Sequence, residues 1–167
     1  MATKKKSTRK QSSGGKSPTS TIKVGPDAVK LLKDDHAKVK GLFADFEHAR
    51  TDQQKVKLAT SICQELTVHT TVEEELFYPA ARAALDDDDM LDEADVEHQS
   101  AKELISQIES GKPGQDMWEA KVKVLGEYIN HHVKEEETEM FPAVRKTDVD
   151  LKALGAQIQA RKQELLA

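Results

Sequence analysis

Two stretches of this chain repeat one arrangement of histidine, glutamate and proline, and the repeat leaves few folds open. His36 is followed 33 residues later by His69, with Glu73 four residues further on and Pro79 ten. His98 is followed 34 residues later by His132, with Glu136 and Pro142 at the same offsets. A step of four residues turns an α-helix by about 400°, so each His–Glu pair lies on one face, a turn apart. The apolar pattern repeats as well. At +3, +6, +7 and +10 from His36 stand Val39, Leu42, Phe43 and Phe46; from His98 they are Ala101, Leu104, Ile105 and Ile108. Two helical hairpins with the same inward stripe predict an all-α fold, an antiparallel up-down four-helix bundle over residues 26–147.

The expected helices follow from the same periods. The first covers about 27–49 and the second carries Leu58, Ile62, Leu66, His69, Glu73 and Leu76 until Pro79 kinks or ends it. A third runs from about Met90 to Ser110, and Gly111-Lys112-Pro113-Gly114 forms a turn. The fourth carries Val122, Leu125, Ile129, His132, Glu136 and Met140, with Pro142 at its end. Residues 148–167 predict a short C-terminal helix that packs on the bundle or on a partner. From His36 to the first turn is about 13 residues and from there to His69 about 16, so both arms measure about 20–24 Å and the histidines return to one height.

Composition agrees: 37% apolar and 4% aromatic residues suit a slim bundle in which each helix buries one stripe. No apolar run approaches the roughly 20 residues of a membrane span, and no signal-peptide core is visible. The single Cys63 has no internal disulfide partner, and its expected place is the core. A cytoplasmic location is the expectation. Residues 1–25 carry seven Lys/Arg and no Asp/Glu, whereas all 30 acidic residues lie beyond them. This Lys-, Ser- and Gly-rich segment reads as a basic disordered tail with a solubilising role, contact with a polyanion such as nucleic acid being the functional alternative.

Four imidazoles and two carboxylates converging in an apolar core would carry a large desolvation penalty unless cations compensate them. The metal candidates are therefore His36, His69, Glu73, His98, His132 and Glu136. This mixed donor set favours iron, with manganese or zinc as lesser candidates. If both glutamates bridge two ions, the protein supplies eight bonds of about twelve, leaving room for a shared oxygen and exogenous ligands. His131 and Glu135 also stand four apart, but His132 alone keeps Ile129, Leu125 and Pro142 in register with Leu66, Ile62 and Pro79. Glu65 and Tyr128, each one turn before a histidine, are candidates to orient a ligand or to add a seventh. His48 is expected at the surface near a helix end. The glutamates flanking Glu73 and Glu136, and Asp86 to Asp89, are expected on solvated faces.

The segments DDHAKVKGLF, LTVHTTVEEELFYPA, VEHQSAKELI and INHHVKEEETEMFPA closely resemble the hemerythrin-like family, in particular its HHE cation-binding branch, over about residues 27–145. The Glu-x-x-His motif of ferritin-like bundles does not occur. The resemblance implies a non-haem, oxygen-bridged di-iron centre with His36, His69, His98 and His132 as terminal ligands and Glu73 and Glu136 as bridges. It also implies O2, peroxide or another small diatomic molecule as the ligand. Oxygen-carrying members have a further histidine one turn from His98, where this chain has Ala94 and Lys102. That departure favours redox, peroxide-decomposing or sensing chemistry over reversible oxygen carriage. A non-catalytic iron or oxygen sensor, and an iron-handling protein tethered to nucleic acid, are the alternatives.

Overall fold

In the computed structural model, residues 25–167 are described; the expected basic tail lies almost entirely outside them. Seven α-helical segments follow one another among these residues: α1 (Ala28–His48), α2 (Asp52–Val72), α3 (Tyr78–Ala84), α4 (Asp88–Glu109), α5 (Trp118–Glu135), α6 (Phe141–Val144) and α7 (Leu151–Leu166). The helix starts are written in the sequence. Asp27 accepts from the Lys30 amide, Asp87 from Met90 and Asp150 from Lys152 and Ala153. Thr51 and Gln54 form a reciprocal capping box at α2.

The chain does not stop at either proline. Between α2 and α3 the backbone widens into a π-helical turn, Glu73–Phe77, and between α5 and α6 into another, Glu136–Met140. The Tyr78 amide bonds back to the Glu73 carbonyl and the Phe141 amide to that of Glu136, five residues away. Each proline then sits in the first turn of a fresh α segment, where its missing N–H and fixed φ cost little. The expected kink or end at Pro79 and the expected end at Pro142 are therefore changes of register inside continuing helices.

Helix α1 packs on α2 and α5, and α4 on α5 and α2, which closes the four-helix ring. The C-terminal helix α7 lies on this bundle, against α1 and α2. It approaches closely at Gly155, where a Cβ would stand 2.6 Å from the Pro26 carbonyl oxygen. At the other end Trp118 folds over the hairpin turn, its Nε1 donating to the Ile108 carbonyl at 2.9 Å. A Cβ on Gly111 would lie 2.6 Å from that indole ring.

Apolar side chains form two clusters. One, at the Trp118 end, gathers Val39, Ile62, Leu66, Ile105, Val122 and Leu125. The other, at the α7 end, gathers Leu32, Phe77, Leu91, Phe141, Leu154 and Ile158. His36, His69, His98, His132, Glu73 and Glu136 are all buried as well, and by sequence they fall between the two clusters on their helices.

Candidate metal centre

Six side chains meet in that intervening layer. The Nε2 atoms of His36 and His69 are 3.1 Å apart, as are those of His98 and His132. Glu73 Oε2 lies 3.2 Å from His69 Nε2 and 3.3 Å from His98 Nε2, so it spans both pairs. Glu136 Oε2 does the same, 3.2 Å from His36 Nε2 and 3.5 Å from His132 Nε2. The ligand atoms of His36, His69, Glu73 and Glu136 fall within 4.8 Å of one another, and so do those of Glu73, His98 and His132.

Each ring is aimed by a carboxylate on its outer side. His36 Nδ1 is 2.9 Å from Glu137, His69 Nδ1 3.3 Å from Asp35, His98 Nδ1 3.0 Å from Glu74 and His132 Nδ1 2.6 Å from Glu97. A carboxylate only accepts, so each Nδ1–H donates outward and, whenever the ring is neutral, its Nε2 turns a lone pair inward. The carboxylates are themselves anchored. Lys162 pairs with Asp35, Lys102 holds Glu74 at 2.6 Å, and Lys33 stands 3.5 Å from Glu137.

The result is a concentration of lone pairs with nothing between them. Both oxygens of Glu73 and Oε2 of Glu136 are buried without a hydrogen-bond donor among the described residues. Without a cation the two carboxylates cannot both stay ionised. Burial and the neighbouring Glu136 push Glu73 well above the usual carboxylate range. Burial acts on Glu136 in the same direction, but His132 and His36 outweigh it and hold that group ionised. Burial drives His69 down to about 4 and lowers His98. For His36 and His132 burial also opposes protonation, yet contact with Glu136 prevails and raises both. This donor set fits a pair of divalent cations, which would satisfy every orphaned atom at once.

The family follows from this arrangement and from the sequence that carries it. Residues 27–144 match the Hemerythrin HHE cation binding domain. The chain belongs to that family. A Hemerythrin HHE cation binding domain-containing protein of Mycobacterium kansasii, the homolog of Rv2633c, superposes with a TM-score of 0.71 at 26% identity, covering 84% of this chain and 88% of that one. The uncharacterized protein Rv2633c of Mycobacterium tuberculosis is 27% identical over 143 residues, 83% of this chain and 87% of that protein. A DNA nickase of a Nostoc species is 30% identical over 115 residues, 69% of this chain but 32% of the nickase. The chain thus spans about a third of that relative's length.

Within this HHE bundle the structure also corrects the reading of the flanking residues. His131 is exposed and pairs with Glu135 at 3.1 Å, leaving His132 in the centre as expected. Glu65 faces Lys38 at 2.6 Å and Tyr128 is 42% exposed, so neither joins the six inward side chains. Glu74 and Glu137 are not on solvated faces: they hold His98 and His36. The signal for these orienting residues was in the repeat itself. An acid precedes His36 and His98, and a second glutamate follows Glu73 and Glu136.

The residue missed altogether is Tyr78. Its hydroxyl donates to Glu136 Oε1 at 2.9 Å and lies 3.1 Å from His98 Nε2 and 3.3 Å from His132 Nε2. In an uninterrupted α-helix Tyr78 would be turned about 140° away from Glu73. The wide turn absorbs a residue and returns it to the same face. Its counterpart in the repeat, Phe141, stacks on His36 at 5.7 Å and 9°. One hydroxyl therefore distinguishes the two histidine pairs. Beside them a cavity of about 10 Å3, walled by Val39, Leu66, Ile129 and Val133, abuts all four histidines.

Proposed function

We propose that this bundle holds two iron ions, one on His36 and His69 and one on His98 and His132, with Glu73 and Glu136 shared, and that it acts on O2 or peroxide. The observation that carries the reading is the inward set of bare Nε2 atoms and orphaned carboxylate oxygens, fixed from behind by four outer carboxylates. Bound iron would supply one-electron steps between Fe(II) and Fe(III). The protein's part is positional. The outer carboxylates keep each imidazole in one tautomer, and the apolar clusters exclude bulk water. Tyr78 places a proton donor beside the His98–His132 pair. The cavity of about 10 Å3 is about the size that holds one water molecule, so it admits nothing bulky beside the four histidines. The chemistry it favours is redox, peroxide-decomposing or sensing.

Anaerobic titration with Fe(II) tests this directly. Wild type should take up two irons per chain, and exposure to O2 or peroxide should raise a charge-transfer band in the near-ultraviolet or visible range. His69→Ala should lose at least one iron together with most of that band. A wild-type chain that binds no iron, or whose iron gives no band with either oxidant, would overturn the proposal. A band that reverses on removing O2 would instead identify a reversible carrier.

A separable reading attaches to the seven cationic residues of segment 1–25 and to the similarity with a DNA nickase. It expects salt-sensitive DNA binding that disappears on deletion of that segment.

A further inference from the structure

Two openings on the surface reach residues of the proposed centre, and they carry opposite charge. One is a groove of about 250 Å3 beside α4 and the wide turn that follows α5. Asp89, Glu93, Glu97, Glu135 and Glu139 line it, and His132 and Glu136 form its floor. The other, of about 460 Å3, lies between α1 and α5, reaches His36, and is lined by Lys33, Lys40 and Lys134 against one acidic residue, Glu137.

The internal repeat shows what the acidic groove stands in place of. Superimposing the two ligand sets puts Glu93 on Leu31, Glu97 on Asp35 and Glu139 on Leu76. In the first hairpin Leu31 and Leu76 pack against the apolar cluster that contains Leu154 and Ile158 of α7. That helix is also tied down by Lys162 on Asp35 and by Arg161 on Glu75 at 2.7 Å. Among the described residues no helix covers the corresponding face of the second hairpin. Its leucines are replaced by glutamates, which would repel an apolar partner and attract a cation.

Two further observations give the groove a direction. Arg82 neutralises Asp88, Asp92 and Asp95 near by, yet engages none of Asp89, Glu93 and Glu139. At the floor, Glu136 is 1% exposed and its Oε2 accepts no hydrogen bond among the described residues. An outer ring of carboxylates thus leads to an inner, buried carboxylate oxygen whose nearest polar neighbours are the Nε2 atoms of His36 and His132.

We infer that the acidic groove is the route by which hydrated divalent cations reach the centre, Asp89, Glu93 and Glu139 concentrating them at the mouth and Glu136 receiving them at the floor. This rests on the metal-binding reading above. Converging like charges with low-dielectric walls raise the local concentration of counter-ions, and exposed charges of this kind are screened by salt. The groove lined by lysines disfavours the same ions.

Anaerobic stopped-flow uptake of Co(II) by the full chain, followed through its ligand-field absorption, separates route from site. The D89N/E93Q/E139Q variant should load about tenfold more slowly at low ionic strength, with the difference shrinking in high salt. Its final ratio of two cobalt ions per chain and its melting temperature should match wild type. A K40Q/K134Q variant, which leaves the Lys33–Glu137 contact in place, should load no more slowly than wild type. Equal loading rates for wild type and the acidic-groove variant would overturn the route while leaving the site intact. A wild-type chain that binds no cobalt would overturn both. Should the triple variant lose helicity, E93Q and E139Q alone serve, each with an expected slowing of about two- to threefold; no slowing in either overturns the route.

Discussion

At the scale of single residues, the difference between Tyr78 and Phe141 is the sharpest asymmetry in an otherwise duplicated site. Burial raises the Tyr78 phenol well above its ordinary range, so in the metal-free protein it stays a donor to Glu136. Tyr78→Phe would make both halves alike. In the iron-loaded protein it should leave two irons bound, as read by metal analysis, but remove the proton donor beside His98 and His132, so that the band raised by peroxide forms at least about tenfold more slowly in stopped-flow absorption. A second residue-scale prediction concerns His69. Its folded pKa of about 4 lies below the unfolded value of about 6.5, so the unfolded chain binds the extra proton between these pH values. Its contribution to stability is therefore complete above pH 6.5 and is lost as pH falls towards 4. NMR titration of the metal-free protein should show His69 neutral down to about pH 4, while His36 and His132 protonate above pH 6.5. The six inward residues were legible because equal spacing on equal helices is a one-dimensional signal. Tyr78 was not, because its place depends on a five-residue backbone register that side-chain periodicity does not encode.

At the scale of elements, α7 acts beyond its own packing. Lys162 lies against Asp35, Asp35 holds His69, and His69 faces the centre, so a helix at the end of the chain reaches the centre through two contacts. Burial raises Asp35, but hydrogen bonds from His69 and Lys162 outweigh it and hold the carboxyl below its ordinary range. Lys162→Met should leave that buried carboxylate with one partner fewer and weaken metal binding by about tenfold, read by competition with a chelator. Arg161→Met, which removes the exposed Glu75 contact on the same helix, should leave affinity unchanged. The existence of α7 was readable from its amphipathic pattern, but which surface it covers was not, because pairing between distant segments leaves no local period. The start of the first helix near Asp27 was readable, whereas the caps Asp87 and Asp150 were not, the third and last helices being expected from about Met90 and residue 148. The prolines misled because a proline forbids a hydrogen bond without saying whether the helix ends or shifts register.

At the scale of the whole molecule, the fold is a duplicated hairpin whose halves have diverged at their outer faces. The first half is covered by α7 and the second is open and acidic. No helix among the described residues is long and apolar enough to cross a membrane. Chelation should lower the melting temperature by more than ten degrees, since an ion bound only to the native state stabilises it by mass action, and its loss restores repulsion among the inward lone pairs. Differential scanning calorimetry with and without chelator measures this. That two halves build one site was legible in the repeated spacing. Their unequal covering was not, since it rests on substitutions such as Leu31 for Glu93 that matter only once the halves are overlaid.

The separation of the apolar interior into two clusters has a consequence for cooperativity. Among the described residues, no continuous buried apolar path joins the Ile62–Leu125 cluster to the Leu32–Ile158 cluster. The helix backbones and whatever joins the six polar side chains must carry the cohesion of one end to the other. Two ions shared through Glu73 and Glu136 would rivet four helices at the waist and make unfolding a single event. Stripped of them, the bundle becomes two small cores on common struts, with a calorimetric enthalpy that should exceed the van't Hoff value. On the metal-binding reading, metal content would set the number of unfolding units as well as the reactivity.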